Sequence, residues 1–175
     1  MILKPQDIVV LLKLVALGEQ PWTFQRLAVE LSISQSEVHA AVRRAVAARL
    51  MTDAASAVGR PMRAQLLEFL VHGVKYAYPP ERGEITRGVP TGYAAPPLNK
   101  LIAGSSDPPP VWPYAQGNVR GYAFAPLYRT VPEASLRDAA LYELLALVDA
   151  MRDGRARERS LAQEALEKRL RPAAS

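Results

Sequence analysis

Residues 23–51, TFQRLAVELSISQSEVHAAVRRAVAARLM, limit the fold more than any other stretch, because two helical patterns meet there across a break that only a tight turn can span. Leu27, Ala28 and Leu31 lie at helical spacing, and Val38, Ala41, Val42, Ala45 and Val46 do so again after Ser32-Ile33-Ser34. Two short helices therefore meet at an angle. The second has a clear start: Ser34 is placed to accept from the backbone N–H of Glu37, and Glu37 to reach back to the N–H of Ser34, which makes a capping box.

This spacing separates the faces of the second helix. Val38, Val42, Ala45 and Val46 point inward, while Gln35, Ser36, His39 and Arg43 share another face. The residue types on that face can read base edges: arginine pairs with guanine, glutamine with adenine, and serine donates or accepts. Ser34, Arg44 and Arg49 are candidates for phosphate contact. Next comes TDAASAVGRPMRAQ, small, polar and interrupted by Gly59 and Pro61, with Arg60 and Arg63 as further candidates. Alternatively, those two arginines solvate a loop and the start of the next helix.

Residues 27–46 resemble the helix-turn-helix of bacterial winged-helix transcription regulators. Ala28 stands at the small position of the first helix, Val38 and Ala41 at the hydrophobic positions of the second, and Ser34-Gln35-Ser36 at its start. The likeness extends over about residues 5–63. It departs at Ser32, where such turns usually carry glycine; serine adopts the turn at some cost. The resemblance implies a β-hairpin wing within residues 52–65, with Arg60 or Arg63 set against the DNA backbone or minor groove, and a double-stranded DNA partner bound by a homodimer.

Charge fits a polyanionic partner without demanding one. The 175 residues carry a net charge of +5, and the surplus sits toward the N-terminal half. With no cysteine and two histidines, His39 and His72, neither a disulfide nor a metal site is expected. No apolar run is long enough for a membrane span, and MILKPQD lacks the features of a signal peptide, so no membrane partner and a cytoplasmic location are expected. Gly83, Gly88 and Gly92 form no phosphate loop, and no Gly-x-Ser-x-Gly elbow occurs. The expectation is a protein that is not an enzyme and needs no cofactor.

Elsewhere, Pro5 should open a helix ending before Gly18, apolar on more than one side: it is buried either in one core or partly at a dimer interface. Residues 62–73 repeat helically up to Gly73. Residues 74–132 hold most of the prolines and tyrosines, with short strands expected at 74–78, 89–94 and 119–125 and extended or polyproline-like chain between them. This segment is expected either to lie over its own or a second subunit, or to dock a protein partner or a small ligand. Asp138 should cap a helix with a stripe of Leu141, Leu144, Leu145, Val148 and Met151. A last amphipathic helix follows from Arg155 to Leu170; Arg152, Arg155, Arg157 and Arg159 are candidates for phosphate, but with Asp149, Asp153 and Glu158 interleaved the better expectation is a salt-bridged surface facing solvent or a partner.

The fold class expected is mainly α with a small β component: a winged helix-turn-helix at 1–63, a connecting helix and Pro/Tyr-rich segment at 64–131, and a helical dimerisation or partner-binding segment at 132–175. Two functions fit, a dimeric DNA-binding transcription repressor and an antitoxin-like or adaptor module whose later segments bind a partner protein.

Overall fold

The computed structural model describes residues 1–53 and 58–171. Helix α1, Pro5–Leu17, begins on its proline and stops at Gly18, whose φ of +61° suits a residue without a Cβ. All of its apolar residues from Ile8 to Val15 are buried. α3, Gln35–Ala47, α2, Phe24–Leu31, and the later α7, Ala139–Asp153, all lie against it. Deep burial in one core is therefore the outcome, and the apolar surface of α1 is covered within a single chain.

Residues 50–52 and 60–62 run antiparallel after α3. Met51 bridges Pro61, Thr52 N–H donates to the Arg60 carbonyl at 3.0 Å, and Met62 N–H to the Leu50 carbonyl at 2.8 Å. The tip expected for a wing, residues 54–57, lies outside the described residues. The indole of Trp22 donates to the Gly59 carbonyl at 3.1 Å and fastens this ribbon to the helices.

Helix α4, Arg63–His72, matches the periodicity, and α5, Val74–Ala77, follows it where a strand was expected. Val74 is buried, and the Tyr78 hydroxyl donates to the Leu3 carbonyl at 2.8 Å. The β preference of valine and tyrosine reflects fit to a half-buried surface, which the core supplies to a helical turn equally well.

The Pro/Tyr-rich segment makes three strands, each bonded to the other two: β1, Arg82–Pro90, β2, Pro110–Pro113, and β3, Val119–Phe124. β1 is antiparallel to β2 near Val89↔Trp112 and to β3 near Thr86↔Gly121, while β2 and β3 run parallel. Such tight closure needs missing side chains. A Cβ on Gly88 would lie 2.0 Å from the Trp112 carbonyl oxygen, and one on Gly121 would lie 2.0 Å from that of Pro109. The strand expected at 119–125 is present. The one expected at 89–94 lies mostly earlier in the chain, with a 3-10 turn at Gly92–Ala94, and the chain at Pro110, expected to be extended or polyproline-like, is extended and enters a strand.

The sheet is pinned to α7 by buried polar groups. Asp149, 2 % exposed, accepts from the Trp112 indole at 2.7 Å and the Thr91 hydroxyl at 2.6 Å, and pairs with Arg152 at 2.8 Å. Arg152 also donates to the carbonyls of Tyr78 and Ala125, 2.9 and 3.1 Å away. Both were expected at the surface. Burial pushes the Asp149 carboxyl above its ordinary range, against the pull of Arg152, Thr91 and Trp112.

Helix α6, Val131–Leu136, precedes α7, whose cap is Asp138, accepting from Leu141 N–H at 3.1 Å. The final helix α8, Ala156–Leu170, buries Ala162, Leu166 and Leu170 against α7 and α4. Its apolar face, expected to meet a second subunit, is thus covered by its own chain. One hydrophobic core joins residues from Ile8 to Leu170, so the three segments read from sequence share one interior. The protein is mainly helical with a small sheet. No helix among the described residues is long and apolar enough to cross a membrane.

Candidate nucleic-acid interface

Helices α2 and α3 end in the same way. α2 closes with Ile33 N–H on the Ala28 carbonyl and Ser32 N–H on that of Val29, and α3 with Leu50 N–H on Ala45 and Arg49 N–H on Val46. Both are Schellman closures, and both place a residue with a side chain in the left-handed region, Ser32 at φ 56° and Arg49 at φ 62°. Serine therefore makes the turn expected of it. Thr23 caps α2 by accepting from Arg26 N–H, and Ser34 caps α3 by accepting from Glu37 N–H at 3.1 Å. Only half of the expected capping box forms, since the Glu37 carboxylate turns away to accept from the Tyr128 hydroxyl at 3.1 Å.

Val38, Ala41, Val42 and Ala45 bury one side of α3. At 100° per residue, Ser36, Arg43 and Ala47 occupy the opposite side, and all three are exposed. Arg43 has no ion-pair partner among the described residues. Gln35 is exposed at the first helical position, and the Ser36 hydroxyl lies 3.1 Å from that of Ser34.

The flanks hold the other candidates differently. His39 stacks on Phe24, ring centres 3.7 Å apart and planes 16° from parallel, and so binds α3 to α2. Arg44, one residue beyond Arg43, turns inward and grips Asp7 with two bonds of 2.8 Å. Asp7 is fully buried and Arg44 only 14 % exposed, so this guanidinium locks α3 onto α1 and is not presented to a phosphate as the sequence suggested. The bonds to Asp7 hold Arg44 above its ordinary range. Arg63 is likewise diverted: it donates to the Arg169 carbonyl at 3.3 Å, at the end of α8. Arg49 is exposed at the close of α3, and Arg60 sits on the antiparallel ribbon, its backbone N–H donating to Thr52 Oγ1 at 3.0 Å.

Distant parts of the chain add two arginines. Arg137 donates to the Ser32 hydroxyl at 2.7 Å and the Glu30 carbonyl at 3.1 Å, bracing the turn of the motif. Exposed Arg129 donates to the Tyr128 hydroxyl at 2.6 Å and lies over its ring, and that same hydroxyl reaches Glu37 near the start of α3. No sequence signal could place Arg129 and Arg137 here, because Arg137 stands 105 positions from Ser32, and Tyr128 stands 91 from Glu37.

Comparison with family models, curated proteins and solved structures found no match.

The geometry of α2 and α3 thus stands on this chain alone. Among the described residues, no cluster of histidine and carboxylate side chains is grouped to hold a metal ion.

Proposed function

We propose that the chain is a sequence-specific DNA-binding transcription regulator that offers the outer side of α3 to the major groove. One observation carries the reading: adjacent arginines have opposite fates, with Arg44 buried on Asp7 and Arg43 left outside, unpaired among the described residues, beside Ser36. An exposed arginine on the outer side of a capped second helix suits bidentate pairing with guanine. Gln35 and Ser36 read alongside it, His39 sets the angle of the helix, and Arg49 and Arg60 contact phosphates at its far end. Arg129 is a further phosphate contact at the near end.

Both apolar faces that sequence alone would give to a homodimer are covered within one chain, so a homodimer would have to meet through another surface. In the Pro/Tyr-rich segment Trp112 and Phe124 are buried in the chain's own core, while Tyr76 is exposed and Tyr93, Tyr114, Tyr122 and Tyr128 are half-buried, so a protein partner would meet these tyrosines.

Selection of bound sequences from a random duplex library tests the reading, followed by mobility-shift titrations over a salt series. The expected result is an enriched motif bound with a steep salt dependence. Arg43→Ala should cost about 1–3 kcal/mol and relax preference at one base position, whereas Arg49→Gly should weaken all sequences alike. Absence of enrichment at low salt would reject DNA recognition by this face.

A further inference from the structure

At the end of α7 remote from the helix-turn-helix lies a cleft of about 410 Å³, walled by β1 and β3, by the loop through Ile102 and Pro108, and by the turn into α8. Its volume is within the range of small-molecule sites, about 300–1,000 Å³. The charged groups on its walls are not equivalent. Arg82 is committed to Asp153 at 2.5 Å and lies over the Tyr122 ring, 5.0 Å from its centre. Glu158 accepts from the Arg155 backbone N–H at 3.1 Å. The Arg155 guanidinium and the Asp107 carboxylate, by contrast, have no ion-pair partner among the described residues, and they stand on different walls. Half-buried Tyr93 and Tyr122 also line the cleft, and their hydroxyls have no hydrogen-bond partner among the described residues. Asp107, Glu158, Arg155 and Arg82 all act on the Tyr93 phenol, which burial pushes up, so these groups converge on one small volume.

A monovalent ligand would satisfy only one of the two free charges. We infer that the cleft binds a zwitterionic small molecule of the amino-acid type, its carboxylate on Arg155, its ammonium on Asp107, and its side chain against Tyr93, Ile102 and Pro108. The two phenols give the polar ends further hydrogen-bond partners. A guanidinium and a carboxylate contributed by different walls fix the direction in which such a molecule lies, and because most of the lining is polar or charged, recognition rests on ion pairs and hydrogen bonds. This inference is independent of DNA recognition, since α7 spans about 22 Å between the cleft and the helix-turn-helix.

Calorimetric titration of the full chain with the common amino acids tests it. For any that bind, each is compared with the matching carboxylic acid that lacks the amine and the matching amine that lacks the carboxylate. At least one amino acid should bind, with both analogues weaker by about tenfold or more. Arg155→Ala and Asp107→Asn should each reduce that binding by a similar factor, while Arg43→Ala, on the far side of the molecule, should leave it unchanged. The inference is overturned if no amino acid binds, if either analogue binds as well as the parent, or if the two cleft variants bind as tightly as the original chain. Should a variant fail to fold, the comparison of ligands on the original chain still decides.

Discussion

The N-terminal helices and the proline- and tyrosine-rich sheet are held together by opposite means. In α1, α2 and α3, apolar residues at helical spacing supply most of the cohesion, and two buried charges of α1 set how its neighbours meet it: Asp7 pairs with Arg44 of α3, and Lys13 pairs with Glu30 of α2 at 3.0 Å and with Asp138 before α7 at 2.7 Å. In the sheet few residues alternate in and out, and the strands are positioned by polar groups reaching from α7: Asp149 to Trp112 and Thr91, Arg152 to two carbonyls, and the Tyr142 hydroxyl to the Pro90 carbonyl at 2.6 Å. Periodic burial is distributed, so no single contact carries it. Polar pinning is concentrated, and a few atoms decide whether the segment is ordered.

The largest effect should come from the concentrated side. Asp149→Ala leaves Arg152 buried without its carboxylate and strips partners from Trp112 and Thr91, which should cost about 3–5 kcal/mol in urea unfolding. Amide exchange should accelerate in β1, β2 and β3 well before α1, α2 and α3. Uniform acceleration over the whole chain would break the contrast.

Asp7→Ala makes the matching test in the helical unit. It exposes the Arg44 guanidinium to a site built for a pair, at a cost of about 3 kcal/mol, and Asp7→Leu combined with Arg44→Met should recover most of that loss because apolar packing already supports the helices. Double-mutant analysis by denaturant titration checks this. Failure of the paired replacement to recover stability would mean that the ion pair, and not the apolar stripe, holds α3 in place.

Tyr142→Phe should cost about 1 kcal/mol at neutral pH through the lost bond to Pro90. Burial pushes the Tyr142 hydroxyl up to about 12 from an ordinary 10.0, so the folded chain holds that proton more tightly than the unfolded chain. The resulting stability is complete below about pH 10 and is lost as the pH rises toward 12. The Tyr142→Phe variant should therefore flatten part of the decline across that window; the rest is shared by Tyr78, also pushed up to about 12, and by Tyr93, Tyr122 and Tyr128, which burial pushes up as well. Thermal melting from pH 8 to 12 measures it.

The smallest effect concerns Arg87 and Arg120, which sit directly opposite each other on β1 and β3 and are both exposed. Like charges in that register repel, so Arg120→Glu should stabilise the chain by about 0.2–1 kcal/mol. No gain in melting temperature would show that solvent already screens the pair.

The helical parts were legible because their information is local. Pro5 and Gly18 bound α1, Thr23 and Ser34 cap α2 and α3, Asp138 caps α7, and each apolar stripe is buried as its spacing indicates. The candidate site was legible only to the level of a face: Gln35, Ser36 and Arg43 are outside, as helical spacing requires. The neighbouring arginine could not be assigned in the same way, because whether Arg44 meets solvent or a buried carboxylate depends on where α1 places Asp7. The strands were hardest to read. β1 carries Arg82, Glu84 and Arg87 with little alternation, and β2 begins inside a run of prolines, so neither bears the period of a strand.

By itself, then, the sequence determined the helices, their caps and the turn between α2 and α3, since these depend on hydrogen bonds and apolar contacts between residues a few positions apart. The tertiary structure alone decided which arginines remain exposed, that α1 and α8 are covered within one chain, and that a proline-rich stretch closes into a sheet. Each of these depends on groups far apart in the chain, Asp7 with Arg44, Asp149 with Trp112, and Arg137 with Ser32, whose meeting is set by packing and leaves no local trace.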